Sequence, residues 1–344
     1  MAQINVYDFT YDAWLRWAEE NGEPAYRAAQ IYEWLYQKRV TTFRDMSNLS
    51  NKIRSQLDDQ FVFPRLSIIE QLDSPKTTKF LFKLDDGETI ETVLMRHSYG
   101  NSICVSTQVG CKMGCTFCVS TVSGWRRNLT AGEMVQQFLL VDRFLNRQNE
   151  RIGSIVIMGI GEPFDNFSET VDFIKIANSE NGLNIGQRHI TVSTCGIVPE
   201  IYRFADLQTQ VVLAISLHVA NNKLRSELMP INKKYPIEEL MAAVTYYVKT
   251  TGRRVTFEYA LIKGVNDSTE QANELAVLLK NVKAHVNLIP VNPVEGKNFT
   301  KSNSSQLYVF KDILEKNNIT TTIRRELGKE IAAACGQLRV RDLS

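Results

Sequence analysis

Apolar runs with strand spacing alternate with amphipathic helical segments from about residue 100 onward, and this alternation constrains the fold more than any other feature. It is typical of βαβ units with parallel strands. The predicted strands are Ser102–Ser106, Ser154–Met158, His189–Ser193, Val211–Ser216, Val255–Ile262 and His285–Pro290, with Thr320–Ile323 as an added edge. Six units predict an α/β fold with a curved, partly open barrel, since a closed eight-unit barrel typically takes about 250 residues.

The segment before the barrel divides into two further parts. Residues 8–60 show helical spacing of aromatic and aliphatic residues, which predicts a small N-terminal helical module. Residues 61–96 are predicted to form short strands, broken by turn-forming residues at 73–76 and 85–87. We therefore predict a helical accessory domain over 1–60, a β-rich connection over 61–96 and a barrel core over 97–344.

Three closely spaced cysteines form the most informative motif. Cys111, Cys115 and Cys118 lie in one predicted loop, and no histidine lies between them or shortly after them. Three thiolates hold a [4Fe-4S] cluster and leave one iron with an open coordination position. Structural zinc is the alternative, but it almost always has four protein ligands, and the nearest upstream candidates are His97 and Cys104.

Several polar or glycine-rich motifs follow predicted strands, where the carboxyl ends of parallel strands form one face. In Met158–Pro163, glycines allow a ligand to approach the backbone and Glu162 can accept hydrogen bonds from an ammonium group; a plain tight turn is the alternative. We expect one shared site at this face, formed by Cys111–Cys118, Gly159–Glu162, Ser193–Cys195, Ser216–His218 and Asn292.

Composition and charge restrict the cellular setting. The sequence has no apolar run of about 18 residues and no secretory leader pattern at its start, so we expect no membrane span and a cytoplasmic location. Six cysteines in 344 residues are too few for a disulfide scaffold. A net charge of +2 does not indicate nucleic-acid binding by itself. Five basic doublets would line a phosphate-binding surface only if the fold gathers them: Lys38-Arg39, Arg126-Arg127, Lys233-Lys234, Arg253-Arg254 and Arg324-Arg325.

Two isolated cysteines and one tryptophan are ambiguous on position alone. Cys335 lies in a stretch of small residues near the C-terminus, where such thiols are usually inert. Cys104 reads as a buried strand residue. Trp125, followed by Arg126 and Arg127, is either an RNA contact or a core residue.

Together these motifs resemble the radical S-adenosylmethionine RNA adenine methyltransferases typified by RlmN and Cfr. The resemblance runs from the N-terminal module through Cys335. It is carried by Gln108–Cys111 and the cluster spacing, Met158–Pro163, Leu217-His218, Met229–Lys234 and Ala334–Leu338. It implies a [4Fe-4S] cluster on Cys111, Cys115 and Cys118, two S-adenosylmethionine molecules per turnover, and methylation of an adenine carbon by a radical.

The resemblance also implies individual residue roles. Cys335 would carry the methyl group, Cys104 would resolve the RNA adduct by forming a disulfide with Cys335, and Glu91 would accept a proton, although a strand carboxylate is often merely exposed. The cofactor-binding residues would be Gly161, Glu162, Ser193, Ser216, Leu217, His218 and Asn292. Two positions depart from the family pattern: Ala332, usually acidic, and Cys195, commonly serine.

The implied substrates are 23S ribosomal RNA, at carbon 2 of an adenosine in the peptidyl transferase region, and transfer RNA. The N-terminal module would bind RNA, a flavodoxin or ferredoxin would donate electrons, and the protein would act as a monomer. Two alternatives stay open. One is carbon-8 methylation of the Cfr type, which confers antibiotic resistance; the other is an iron-sulfur protein that binds RNA or senses redox state without turnover.

Overall fold

The computed structural model describes residues 3–292, 299–324 and 327–341. Its α-helices are α1 (Tyr11–Glu20), α2 (Tyr26–Tyr36), α3 (Asn51–Gln60), α4 (Ala131–Asn146), α5 (Phe167–Asn178), α6 (Val198–Asp206), α7 (Asn222–Leu228), α8 (Ile237–Thr251), α9 (Thr269–Leu279) and α10 (Ser304–Lys316). Its strands are β1 (Ile4–Asn5), β2 (Phe61–Val62), β3 (Ser67–Ser74), β4 (Thr77–Lys83), β5 (Thr89–His97), β6 (Gly100–Cys104), β7 (Gln108–Gly110), β8 (Trp125–Asn128), β9 (Ile152–Ile157), β10 (Ile190–Thr194), β11 (Val212–Ser216), β12 (Val255–Leu261), β13 (Ala284–Pro290) and β14 (Thr320–Ile323).

A sheet of ten of the described strands forms the centre of the protein, in the order β14-β13-β12-β11-β10-β9-β6-β5-β4-β3. The strands from β6 to β14 in this order are parallel. Helices follow β9, β10, β11, β12 and β13 along the chain, as βαβ units require. The six predicted barrel strands and the predicted edge strand therefore all occur, with boundaries shifted by at most two residues.

The sheet curves around an internal cavity. Side chains from successive parallel strands line this one space, including Cys104, Val156, Thr191, Thr256 and Asn287. The described strands at the two ends of the sheet, β14 and β3, do not pair with each other, so the barrel is open. The predicted partial six-unit α/β barrel is thereby confirmed.

Residues between the N-terminal helices and the barrel extend the same sheet. Strands β3, β4 and β5 form an antiparallel meander that joins the barrel through β5 and β6. Gly87 has a φ of 89°, and its amide donates to the Leu84 carbonyl at 3.0 Å in the turn between β4 and β5. Glycine suits this turn because its φ is positive. The strands of the predicted connection are thus part of the central sheet.

The N-terminal helices pack around aromatic side chains. The Trp14 and Phe61 rings lie 4.9 Å apart, and both side chains are buried. The Asp8 carboxylate accepts a 2.8 Å hydrogen bond from the Gly132 amide in the first turn of α4, where the helix dipole favours a negative charge. This contact fixes the helices against the barrel. The domain boundaries stay predictions.

Candidate active site

The three clustered cysteines lie on the loop between β7 and β8. The Cys111 amide donates to the Gly124 carbonyl at 3.2 Å, and the Cys118 amide donates to the Cys115 carbonyl at 3.2 Å. Gly114 has a φ of 71°, which lets the loop turn between the first two cysteines. All three thiols line one cavity at the carboxyl ends of the parallel strands, named here the smaller cavity.

Most of the predicted cofactor-binding residues meet the cysteines in the smaller cavity. Leu217 is the exception, because it is fully buried and lines neither this cavity nor the larger one described below. The expected shared site therefore exists as a geometric arrangement, while the role of each residue stays a prediction. The predicted residues that line the smaller cavity are Gly161, Glu162, Ser193, Ser216, His218 and Asn292.

The chemistry of the three thiols fits an iron-sulfur cluster. Burial raises the pKa of Cys111 to about 12, and burial raises the pKa values of Cys115 and Cys118, with neighbouring cysteine charges adding to the effect. A cationic group is needed to hold these thiols deprotonated. Among the described residues, no three histidine, cysteine or acidic side chains are grouped to hold a single metal ion. Three thiolates are the set that holds a [4Fe-4S] cluster with one open iron, so the donor atoms present fit that group.

Glu162 is held rigidly at the edge of the smaller cavity. Its carboxylate accepts hydrogen bonds from the Cys195 amide at 2.8 Å and from the Phe164 amide at 3.0 Å. Burial raises the pKa of this carboxyl. Gly161, with a φ of 108°, has no room for a side chain, because a Cβ there would lie 2.6 Å from Gln108. The glycine thus permits the tight turn that places the carboxylate.

His218 presents a defined hydrogen-bond donor to the smaller cavity. Burial, followed by the charge of Arg225, lowers the pKa of His218 to about 3, so its imidazole is neutral at pH 7. The Nδ1 atom accepts a 2.9 Å hydrogen bond from the Ala260 amide. The ring proton is therefore on Nε2. The Phe117 ring packs edge-on against the imidazole, with centroids 4.8 Å apart.

Arg225 organises the strand ends beneath the smaller cavity, and the sequence offered no signal for it. This fully buried guanidinium donates to the Leu217 carbonyl at 3.1 Å, the Cys195 carbonyl at 2.8 Å and the Asn232 side chain at 2.8 Å. Burial lowers its pKa to about 10, which still leaves it charged at pH 7. One cation thus fixes loops after two neighbouring strands.

The C-terminal segment brings Cys335 to the cluster loop. The Val119 amide donates to the Gly336 carbonyl at 2.9 Å, and the Ser120 hydroxyl donates to the Leu338 carbonyl at 2.7 Å. The Asn292 side chain donates to the Cys335 carbonyl at 3.2 Å. These bonds place Cys335 in the lining of the smaller cavity, beside the three clustered cysteines.

Cys335 also lines a second space, named here the larger cavity, which occupies about 1340 Å³ inside the barrel. Cys104 lies in the lining of this cavity too. Burial raises the pKa of Cys104 to about 12; the nearby Cys335 adds to the shift and the charge of Arg324 opposes it. All six cysteines are free thiols, so the disulfide implied by the resemblance is not present in the structure.

Glu91 lies apart from both cavities. It is fully buried on β5 and forms an ion pair with Lys79 at 3.1 Å. The Arg341 guanidinium lies 3.2 Å from the same carboxylate, and the Arg339 amide donates to it at 3.0 Å. These partners enclose the Glu91 carboxylate. Its role as a proton acceptor stays a prediction.

The described members of the basic doublets supply only one of the cations that line the larger cavity. Of their described members, Arg324 alone lines it. Arg126 forms an ion pair with Glu88, and Arg127 forms ion pairs with Asp86 and Glu133. Arg325 lies outside the described residues. The other basic side chains in the lining come from single positions, namely Lys76, Arg96, Arg151 and Arg188.

Glu258 is a second residue that the sequence did not indicate. It lines both cavities, and its carboxylate accepts a 3.1 Å hydrogen bond from Asn287. Burial raises its pKa, while the charge of Arg324 opposes this effect. No pattern distinguishes this strand carboxylate from an exposed one, which is why sequence reasoning missed it.

Comparison with known proteins agrees with this arrangement. Residues 105–276 match the profile described as the radical SAM superfamily, and residues 4–62 match the ribosomal RNA large subunit methyltransferase N-terminal domain. A probable dual-specificity RNA methyltransferase RlmN of Bacillus licheniformis is 56% identical over 98% of this chain and 94% of its own length. The protein of the same description from Bacillus subtilis is 55% identical over 98% of this chain and 93% of its own length.

A solved structure shows the same fold. The crystal structure of a radical SAM methyltransferase from Sphaerobacter thermophilus has a TM-score of 0.91 and 44% identity, and the match covers 98% of this chain and 99% of that one. The similarity therefore includes the N-terminal helices, the barrel and the C-terminal segment. The chain belongs to the RlmN family of the radical SAM superfamily.

Proposed function

We propose that this protein is a radical S-adenosylmethionine RNA methyltransferase that methylates carbon 2 of an adenosine in 23S ribosomal RNA and in transfer RNA. The proposal follows the activity given for relatives of this chain. Two relatives that are more than half identical to it are described as probable dual-specificity RNA methyltransferases. None of the described helices is long and apolar enough to cross a membrane. The electron donor would be a flavodoxin or ferredoxin, acting on a cytoplasmic monomer.

The position of Cys335 carries the proposal. It lines the smaller cavity with the cluster cysteines and the larger cavity with Cys104. A methyl carrier must reach the methyl donor first and the RNA base afterwards. A thiol in the lining shared by two cavities serves both contacts without a change of fold.

The first steps use this thiol as a nucleophile. The Cys335 thiolate attacks the methyl group of one S-adenosylmethionine, and S-adenosylhomocysteine leaves. Cys111, Cys115 and Cys118 would hold the [4Fe-4S] cluster, which would supply the one electron needed for reductive cleavage of a second S-adenosylmethionine, with methionine as the leaving group. The methyl group on Cys335 would give one hydrogen atom to the 5′ carbon of the cleaved S-adenosylmethionine, which leaves as 5′-deoxyadenosine. The remaining methylene carbon would then bond to carbon 2 of the adenine.

Residues of the smaller cavity would bind the cofactor before these steps. Glu162 offers carboxylate oxygens to an amino group, and the Nε2–H of His218 offers a donor. The hydroxyl groups of Ser193 and Ser216 lie 3.4 Å apart on neighbouring strand ends and provide further polar contacts. Asn292 lies beside Cys335 and would align the cofactor with the thiol.

Release of the product requires the second thiol. Carbon 2 loses its proton, and the adduct must also lose one electron, for which the cluster held by Cys111, Cys115 and Cys118 would be the acceptor. The Cys104 thiolate then attacks the Cys335 sulfur. The bond from that sulfur to the methylene breaks, the released carbon takes a proton, and a transient disulfide remains for an external thiol to reduce. Glu91 accepts the carbon-2 proton in this scheme, which requires Arg339 and Arg341 to move away from its carboxylate.

The site of methylation can be tested directly. Ribosomal RNA and transfer RNA from cells that lack or express this chain would be digested to nucleosides and measured by mass spectrometry. We expect 2-methyladenosine in both RNAs only when the chain is expressed. A carbon-8 product would contradict the proposed position, and the absence of any methylated adenosine would favour an iron-sulfur protein without turnover.

A further inference from the structure

The hairpin that joins β5 to β6 carries two aromatic rings packed face to face. The ring centroids of His97 and Tyr99 lie 4.8 Å apart, and their planes differ by only 4°. Tyr99 is 82% exposed, so most of its ring has no protein cover. Both residues line the larger cavity, which extends inward to Cys104 and Cys335. The pair therefore lies where this cavity opens to solvent.

The hairpin holds these rings in place without using them for the core. His97 pairs with Gly100 across the hairpin, and the Arg96 amide donates to the Lys76 carbonyl at 2.8 Å on the neighbouring turn. The Arg96 guanidinium donates to the Thr78 hydroxyl at 2.9 Å. Strand pairing and turn contacts thus fix the backbone under the rings. The aromatic surface itself stays exposed to water, which is unfavourable for an apolar group.

The charges around the pair suit a polyanion. Lys76 and Arg96 line the larger cavity on the same side, and Arg324 lines it further in. Burial, followed by the charges of Arg324 and Lys76, lowers the pKa of His97, so its ring is neutral at pH 7. A neutral aromatic surface beside cations is the combination by which proteins bind single-stranded nucleic acid.

We propose that His97 and Tyr99 form a stacking platform for an unpaired base of the RNA substrate, next to the methylated adenosine in sequence. The proposal rests on the proposed function. Tyr99 precedes Cys104 by five residues, which corresponds to about 16 Å along a strand. One base cannot span that length, so the base on Tyr99 is a neighbour of the adenosine that reaches the thiols.

The test measures binding of an unmodified transfer RNA transcript to the full chain loaded with its cluster, without reductant. We expect Tyr99→Ala to weaken binding about tenfold or more, because stacking on an aromatic side chain contributes a large part of the binding free energy of one base. Tyr99→Phe keeps the ring and should stay within about twofold of the unaltered protein. Tyr308→Ala is the matched control, since Tyr308 on α10 is 59% exposed but does not line the larger cavity.

The stacked base can be located with 2-aminopurine, a fluorescent base, placed at each position flanking the target adenosine. Quenching at one flanking position, lost in Tyr99→Ala and kept in Tyr99→Phe, is the expected result. Unchanged binding by Tyr99→Ala, equal weakening by Tyr308→Ala, or no binding by the unaltered protein would each overturn the platform. Failure of the proposed methylation is a separate result, seen as bound RNA without methylated adenosine.

Discussion

Replacing Cys335 with serine should abolish RNA methylation, reducing the rate by more than about a thousandfold, because the variant has no thiol to carry the methyl group. The measurement is 2-methyladenosine formed from a transfer RNA transcript by the reconstituted protein with S-adenosylmethionine and reductant. The same samples should show no methyl group on the peptide that contains position 335. Methylation at the rate of the unaltered protein would contradict the methyl-carrier role.

The fold and the cluster should survive this change. Cys335 is only half-buried and makes its hydrogen bonds through its backbone, so we expect the free energy of unfolding to change by less than about 0.5 kcal/mol. Iron content and RNA binding should match those of the unaltered protein. With these controls, lost activity is assigned to the missing thiol, whereas lost iron would show that Cys335 supports the cluster loop.

Replacing Cys104 with alanine should trap a covalent protein–RNA adduct, because no thiol is left to attack the Cys335 sulfur. After one turnover, a large share of the protein should migrate with RNA on a denaturing gel, while multiple turnover stops. The side chain is small and buried, so we expect a loss of about 1 kcal/mol in stability. Normal turnover without an adduct would show that Cys104 is not the resolving thiol.

The matched control is Cys104→Ala combined with Cys335→Ser, which should give no adduct. The pH dependence of the unaltered protein offers a second check. Burial raises the pKa of Cys104 to about 12, so its thiolate fraction should rise about tenfold for each pH unit between 6 and 9. The lifetime of the adduct should shorten in proportion. A lifetime independent of pH would contradict attack by this thiolate.

The barrel was predictable because its strands are short apolar runs that alternate with amphipathic helical segments. Parallel strands covered by helices read as continuous apolar runs, so β9 to β13 could be placed within one or two residues. The pairing of β3, β4 and β5 with the same sheet was not predictable, since strand order depends on contacts far apart in sequence. The sequence indicated the turns between these strands, but it did not indicate which strands they pair with.

The site was predictable where its residues follow strands or share a short loop. Cys111, Cys115 and Cys118 are close in sequence, and residues after parallel strands must share one face. Arg225 and Glu258 were missed because only the fold buries them. The enclosure of Glu91 by the C-terminal segment depends on contacts across more than 240 residues, which no local pattern reports.

The departure at Ala332 has a structural setting that the sequence did not indicate. Ala332 has a φ of 49°, in the left-handed region, and its carbonyl accepts a 3.1 Å hydrogen bond from the buried Lys79. Aspartate and asparagine adopt this conformation more readily than alanine does. The acidic residue that the resemblance implies at this position would therefore fit the turn. With alanine there, the backbone carbonyl still accepts the hydrogen bond from Lys79. Cys195 likewise contributes backbone groups, to Glu162 and Arg225.

Iron and sulfide analysis of protein purified without oxygen, combined with spectroscopy, tests the central claim most directly. Three thiolates with one open iron predict about four irons and four sulfides per chain, and a spectrum that changes when S-adenosylmethionine is added. Replacing any one of Cys111, Cys115 or Cys118 with alanine should remove the cluster. One zinc ion per chain, or a cluster whose spectrum does not respond to S-adenosylmethionine, would contradict the account.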